Sequence, residues 1–190
     1  MGWYNHKKNV DKYIRMASGC DGRELIKLFR KYLAEGSSIL EIGMGPGTDL
    51  QMLEKYFKVT GSDNSIIFLD LYSQIHPKTD LLLLDAVSLK TERKFNGIYS
   101  NKVLYHLSKN ELKKSLTRQK EVLMADGILL HSFWKGKGEE KVSGLKFVYY
   151  TKGELIKIIG NEFDILYINE YREMKNNDSL VVIMKKQPIH

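Results

Sequence analysis

The sequence predicts an α/β three-layer sandwich, a mostly parallel sheet with helices on both faces. Three observations carry this. From residue 37 onward, short apolar segments alternate with amphipathic ones of helical period. The run Leu81-Leu82-Leu83-Leu84 is apolar throughout, as in strands buried on both faces of a parallel sheet. The first strand runs directly into a glycine-rich turn and then a helix.

The elements follow in order. Residues 9–35 read as one or two helices, with Asp21 as a cap and Leu25, Ile26, Leu28, Phe29, Tyr32 and Leu33 as the apolar face. Ser38 to Ile42 reads as a strand, Thr48 to Phe57 as a helix, Lys58 to Ser62 as a strand and Ser65 to Gln74 as a helix. Asp80 to Leu84 and Phe95 to Ser100 are the third and fourth strands. Ser108-Lys109-Asn110-Glu111 is a capping box that opens a long helix to about Met124, ended by Asp126-Gly127. Gly127 to Phe133 is the fifth strand, and a second capping box, Thr151 to Glu154, opens a helix to about Ile159.

Phe163 to Tyr171 and Ser179 to Lys185 close the chain, joined by only about seven residues. A parallel crossover needs a dozen or more, so this pair is expected to be antiparallel. At 190 residues the chain is expected to form one domain. Residues 1–36 are expected to be its helical cap and residues 37–190 its ligand-binding part.

Hydrophobic residues make up 43% and charged residues 28%, which excludes a disordered, low-hydrophobicity chain. The net charge of +7 leaves room for an anionic partner without requiring one. Cys20 is the only cysteine, so no internal disulfide forms and no cysteine-based metal site is expected. The polar N-terminus lacks the apolar core of a signal peptide, and no run reaches a membrane span. A cytoplasmic protein without membrane or metal is the expectation.

The stretch Glu41-Ile42-Gly43-Met44-Gly45-Pro46-Gly47-Thr48 carries the most chemistry. Glycines there let backbone approach a ligand beside the unpaired N–H groups of a helix start. A dinucleotide fingerprint is G-x-G-x-x-G/A, but its third position here is Thr48, and Glu41 precedes the loop. A carboxylate there serves a pyrophosphate poorly and a cation well. Asp63 follows the second strand, at a distance that suits two ribose hydroxyls, and Asp85 follows the third, suited to an exocyclic adenine amine. Three successive strands thus end in acids, which points to S-adenosylmethionine (SAM), a nucleoside with a sulfonium and an ammonium. Each residue alone has a structural alternative: a tight turn, a helix cap at Asp63, a loop aspartate at Asp85.

Glu41 to Gly47, Gly61-Ser62-Asp63 and Leu84-Asp85-Ala86 resemble the successive cofactor motifs of class I SAM-dependent methyltransferases. Ser100 to Leu107 resembles the motif after strand four, and Ala125 to Leu130 the turn into strand five. The resemblance spans residues 37–186. It implies a Rossmann-like, seven-stranded, mostly parallel sheet of order 3-2-1-4-5-7-6 with the last strand antiparallel. It also implies that Gly43, Met44, Gly45 and Gly47 hold the methionine part, supported by Glu41. Asp63 and Asn64 would meet the ribose, Asp85 and Ala86 would flank adenine, and Asn101 would lie near the methionine amino group through its backbone carbonyl.

Methyl transfer needs alignment of a nucleophile, and a base only where the acceptor is protonated. His106 is the candidate base, since an unperturbed imidazole accepts a proton at neutral pH; its alternative role is packing beside the Ser108 cap. Tyr99-Ser100-Asn101-Lys102 lacks both prolines and the final aromatic of the Asn-Pro-Pro-Tyr signature of amino-directed DNA and protein methyltransferases. The glycine-rich, charged stretch 131–141 is expected to be mobile. Tyr4, Tyr13, Tyr105, Trp134 and Tyr149 are the substrate or lid candidates, with Trp134 or Tyr149 able to face a sulfonium by cation–π contact.

Lys109, Lys113, Lys114, Arg118 and Lys120 form a basic cluster on the helix after strand four, with Glu111 and Glu121 among them. The favoured function is methyl transfer to a small molecule. The alternatives are an RNA or protein methyltransferase using that basic face, and a non-catalytic SAM-binding protein. A nicotinamide oxidoreductase is disfavoured by Thr48 and Glu41.

Overall fold

The computed structural model describes residues 2–187. Among the described residues, nine strands and six helices follow one another. The chain opens with a 3₁₀ turn (Trp3–Asn5), α1 (Lys7–Ala17) and α2 (Arg23–Phe29). It continues through β1 (Ser38–Ile42), α3 (Thr48–Leu53), β2 (Lys58–Asp63), α4 (Ile66–Ile75), β3 (Asp80–Leu83) and β4 (Phe95–Asn101). A second 3₁₀ turn (Leu104–His106) precedes α5 (Lys109–Val122) and β5 (Leu123–Trp134). Then come β6 (Glu139–Val142), β7 (Leu145–Val148), α6 (Lys152–Ile159), β8 (Phe163–Tyr171) and β9 (Ser179–Lys186).

Seven strands form one sheet in the order β3-β2-β1-β4-β5-β9-β8. β1 to β5 pair in parallel, and β9 runs antiparallel between β5 and β8. Counted without β6 and β7, which pair only with each other, this is the order 3-2-1-4-5-7-6. The strand order reverses between β1 and β4, where helices depart to opposite faces and a crevice opens at the carboxyl ends.

Alternation along the strands divides the core in two. Leu40, Ile98, Leu129, Val182 and Met184 join Leu112 and Leu116 of α5 and Leu155 and Ile159 of α6 on one face. Ile39, Tyr99, Ile128, Leu130, Val181 and Ile183 join Phe29 of α2, Leu50 and Leu53 of α3 and Tyr72 of α4 on the other. Single-residue steps along each central strand thus feed both layers, which is why apolar residues occupy consecutive positions there.

Three local expectations are corrected. The leucines of β3 are not buried on both faces: the strand lies at the sheet edge, Leu81 and Leu82 are half-buried, and Leu83 is exposed. α3 stops at Leu53, because the Tyr56 and Phe57 N–H groups turn back onto the Leu53 carbonyl to enter β2. α5 ends at Val122 rather than Met124; Leu123 already pairs with Phe95, and Asp126, at φ +57°, bends the strand through a register shift. The stretch 131–141 runs from the end of β5 into the first strand of the β6–β7 hairpin, which turns at Ser143 and Gly144 with positive φ. Asp21 precedes α2 and accepts the Arg23 N–H, while Gly22 occupies the cap position. Both capping boxes form, with Ser108 and Thr151 each bonded reciprocally to the glutamate three residues on.

Candidate active site

The cavity at the crevice has a volume of about 260 Å³. Its floor comes from the ends of four strands: Ile42 and Gly43 after β1, Asp63 and Asn64 after β2, Leu84, Asp85 and Ala86 after β3, and Lys102 and Val103 after β4. The N-terminal 3₁₀ turn, Tyr13 of α1, Phe68 of α4, His106 and Leu145 of β7 close it.

The glycine loop is built by left-handed backbone. Gly43, Gly45 and Gly47 have φ of +71°, +51° and +81°. A Cβ on Gly43 would lie 2.5 Å from Val103, so the β1 and β4 ends approach this closely only with glycine there. A Cβ on Gly47 would lie 2.1 Å from the Tyr72 ring, so Gly47 serves the packing of α4 beneath the loop. The Gly43 and Met44 N–H groups both donate to the Ser62 carbonyl, tying the loop to β2.

Asp63 fastens the loop from the other side. Its Oδ2 accepts the Gly45 N–H and its Oδ1 the Ser65 N–H, each at 2.9 Å. Burial raises its carboxyl, and those backbone bonds, with the Asn64 N–H, pull it back down. Asp85 uses Oδ1 for the Val87 and Ser88 N–H groups, so Oδ2 takes neither bond.

Glu41 lies buried under the loop, and its Oε2 has no hydrogen-bond partner among the described residues. Burial, with Asp49 and Asp63 close by, pushes its carboxyl well up. Beside it Asp49, in the first turn of α3, accepts from the Gly22 N–H at 2.7 Å, the Tyr99 hydroxyl at 2.7 Å and Asn101 Nδ2 at 3.0 Å. One carboxylate thus joins the start of α2, the glycine-loop helix and the end of β4.

His106 stands on the cavity wall with both nitrogens engaged. Nδ1 lies 2.6 Å from the Lys146 carbonyl, which can only accept, so Nδ1 carries the proton. Nε2 is then unprotonated and lies 3.5 Å from the Tyr4 hydroxyl. Burial pulls the imidazole below its ordinary value. Tyr4 is anchored at its carbonyl by the Ser65 hydroxyl at 2.6 Å, and its ring packs edge-on against Tyr13. Burial raises both phenols, with Asp63 adding to the effect on Tyr13.

Of the residues singled out in the sequence, Gly43, Gly45, Asp63, Asn64, Asp85, Ala86, Tyr4, Tyr13 and His106 meet around the cavity. Others point elsewhere. The Met44 side chain is core, against Gly61 and Leu50. The Asn101 side chain bridges Asp49 and Ser132. Tyr105 is buried against Phe147 and His106. Trp134 takes the Lys102 ammonium, not a ligand, on its ring face at 3.6 Å. Tyr149 donates to Glu140 on the hairpin.

Sequence reasoning missed Lys102, Phe68 and Leu145. Lys102 is almost enclosed: Nζ donates to the Ser179 hydroxyl at 2.6 Å and pairs with Glu173 at 3.6 Å. Burial pulls it down to about 8. It lies within the motif after strand four, but its enclosure was not readable there because its partners come from β5, β9 and the loop before β9. Leu145 had an available signal: Ser143-Gly144 between alternating residues is a hairpin turn.

The fold is a doubly wound α/β domain with its cavity at the strand-order reversal, where such folds bind ligands. Residues 39–127 match the family profile described as a methyltransferase domain. Over that segment, which is a little under half of the chain, the sequence is similar to methyltransferase domains. No curated protein matches the sequence. Among solved structures, the chain resembles 1,6-didemethyltoxoflavin-N1-methyltransferase of Burkholderia thailandensis, crystallised with 1,6-didemethyltoxoflavin and S-adenosylhomocysteine. The TM-score is 0.79 at 18% identity, over 94% of this chain and 83% of that one. N-methyltransferase NodS of Bradyrhizobium japonicum, in complex with S-adenosylhomocysteine, gives 0.73 at 17%, over 97% and 100%. The amino pentose methyltransferase CalS10 of Micromonospora echinaspora gives 0.75 at 12%, over 94% and 97%.

Proposed function

We propose that this protein is a SAM-dependent methyltransferase acting on a small-molecule acceptor. The observation that carries the reading is the single cavity wall formed by Gly43, Gly45, Asp63 and Asp85 and faced by Tyr4 and His106. SAM supplies a methyl group on cationic sulfur, bound to a neutral leaving group. The residues present fit it. Glu41 leaves a buried carboxyl oxygen without a partner beneath the loop, and the glycines leave open backbone above it. Asp63 keeps lone pairs for ribose hydroxyls, and Asp85 Oδ2 suits an exocyclic amine. Asn64 and Ala86 complete that wall.

The chain's own contribution is orientation and proton handling. His106 Nε2 takes a proton from an acceptor that arrives protonated, while the Lys146 carbonyl holds the ring in that tautomer. Residues 1–36 are the helical cap of the same domain: Tyr4 and Tyr13 cover the cavity and limit its size. A cavity of about 260 Å³ favours a small acceptor, in keeping with the substrates named for the toxoflavin and amino pentose enzymes.

The basic face of α5 is partly neutralised, with only Lys113 and Lys114 of its five cations outside the ion pairs among the described residues, which gives an RNA substrate little support. Lys109 pairs with Glu154, Arg118 with Glu121 and Lys120 with Glu162, so those cations are already partnered. Protein acceptors meet the same size limit. We read the protein as cytoplasmic; no helix among the described residues is long and apolar enough to cross a membrane.

Calorimetry with SAM, S-adenosylhomocysteine and NADH tests the cofactor. Binding of the first two is expected; NADH binding without SAM overturns the reading. A labelled-methyl assay over amine, hydroxyl and heteroaromatic metabolites and structured RNA then tests the acceptor. Transfer to RNA alone would favour the basic-face alternative, and SAM binding with no transfer the non-catalytic one.

A further inference from the structure

A chain of buried polar groups crosses the α5 layer and ends on the cavity wall. The Ser115 hydroxyl lies 2.6 Å from the Ala86 carbonyl. Gln119 Nε2 lies 2.9 Å from Ser115 Oγ, and Gln119 Oε1 lies 2.7 Å from His131 Nε2. His131 Nδ1 lies 2.8 Å from Ser100 Oγ. Ser100, Ser115, Gln119 and His131 are all completely buried.

The direction of the chain is forced by its last member. A carbonyl only accepts, so Ser115 must donate to Ala86 and therefore accepts from the Gln119 amide nitrogen. Gln119 oxygen then accepts from His131 Nε2–H, which leaves Nδ1 to accept the Ser100 hydroxyl. Every hydrogen bond points the same way, from β4 toward the loop after β3, so each polarises the next. The surroundings are apolar: Leu112, Leu116, Phe133 and Leu155 pack on this face. Four polar side chains there need a role beyond filling space, since apolar groups of similar shape would fill it without the desolvation cost.

The same helix grips the loop again. Arg118 donates to the Leu89 carbonyl through Nε at 3.2 Å and to the Thr91 carbonyl through Nη2 at 2.7 Å. α5 therefore holds the loop after β3 at the carbonyls of Ala86, Leu89 and Thr91, immediately beyond Asp85. A loop of this kind would otherwise be free to shift the Asp85 carboxylate relative to the cavity.

We infer that Ser115, Gln119 and His131 are positioning residues that hold Ala86 and Asp85 in register to read the adenine of the cofactor. This rests on the reading of the cavity as a SAM site. They touch no ligand themselves; they act through the Ala86 carbonyl.

The experiment compares Ser115→Ala and Gln119→Met with the unaltered protein for two ligands, S-adenosylhomocysteine and its 6-oxo counterpart, S-inosylhomocysteine, by calorimetry. The unaltered protein is expected to prefer the adenosyl ligand, because the 6-oxo group presents an acceptor to Asp85 where the amine presents a donor. In each variant the adenosyl ligand is expected to weaken about tenfold and the inosyl ligand less than about twofold, so the preference collapses. Equal weakening of both ligands, or of neither, overturns the inference and leaves the residues as packing. A second readout is independent of ligand: nitrogen NMR is expected to place the His131 proton on Nε2, and a proton on Nδ1 overturns the direction of the chain. If the unaltered protein binds neither ligand, the SAM reading itself fails and the inference falls with it. Binding of both without preference overturns the inference alone.

Discussion

His106 and Lys146 are joined by a hydrogen bond from the imidazole Nδ1 to a main-chain carbonyl, at 2.6 Å. That bond places the free lone pair on Nε2, toward Tyr4 and the cavity. Burial lowers the imidazole from its ordinary value, so the neutral, basic form persists to a lower pH. With an acceptor that must lose a proton, kcat is expected to fall on the acid side with a midpoint below about 6.5. His106→Gln is expected to remove that limb and lower kcat about 10²-fold or more. An unchanged pH–rate profile in the variant would exclude His106 as the base.

Asp63 accepts both the Gly45 and Ser65 N–H groups. Asp63→Ala therefore removes a ligand-facing carboxylate and unties the loop together. SAM and S-adenosylhomocysteine are each expected to bind roughly 10- to 100-fold more weakly. Calorimetry measures this directly, and unchanged affinity would exclude the residue from the site.

The glycines of the loop are expected to separate in their effects. Gly47→Ala drives a methyl group into the Tyr72 ring at a positive φ, so its principal effect is a loss of stability of about 2–4 kcal/mol, read by denaturant unfolding. At Gly45 the new Cβ would meet only Tyr13, at 3.6 Å, on the cavity side. Gly45→Ala is expected to lose less stability, through backbone strain alone, and more ligand affinity.

His131 carries a stability prediction. Burial pulls its folded value down to about 3, against about 6.5 in the unfolded chain. Between those values the unfolded state binds the extra proton, so folding stability is complete above about 6.5 and declines as pH falls toward 3. The slope from this group approaches about 1.4 kcal/mol per pH unit. Unfolding curves at pH 7 and pH 5 for the unaltered protein and His131→Gln should show a smaller pH dependence in the variant.

The strands and the acids at their ends were legible because each is written locally, whereas the sheet order came from the motif resemblance and agrees with the observed topology. The glycine turn follows β1 directly, the acids Asp63 and Asp85 follow β2 and β3 directly, and periodicity marks the helices after β1 and β2. The Asp49 junction was not legible, because Gly22, Tyr99 and Asn101 approach it from three separate segments. Trp134 misled for a related reason: a sequence shows an aromatic beside a ligand edge but not that Lys102 already occupies its face. The exposure of Leu83 was hidden, although the implied order put β3 at the edge, because four leucines look alike whether one face or two are covered. His106 was located but its orientation was not, since the Lys146 carbonyl comes from a hairpin strand 40 residues away.

The β6–β7 hairpin pairs with no strand of the main sheet, yet it supplies Leu145 to the cavity and the Lys146 carbonyl to His106. Its turn, Ser143-Gly144, projects away from the sheet toward Trp3. The hairpin is in effect an interchangeable cassette. Its side chains can be exchanged without touching a single sheet register, provided the Lys146 carbonyl stays in place against His106. In the proposed methyltransferase, an exchange at Leu145 would reshape the acceptor side of the cavity and leave Asp63 and Asp85 in place.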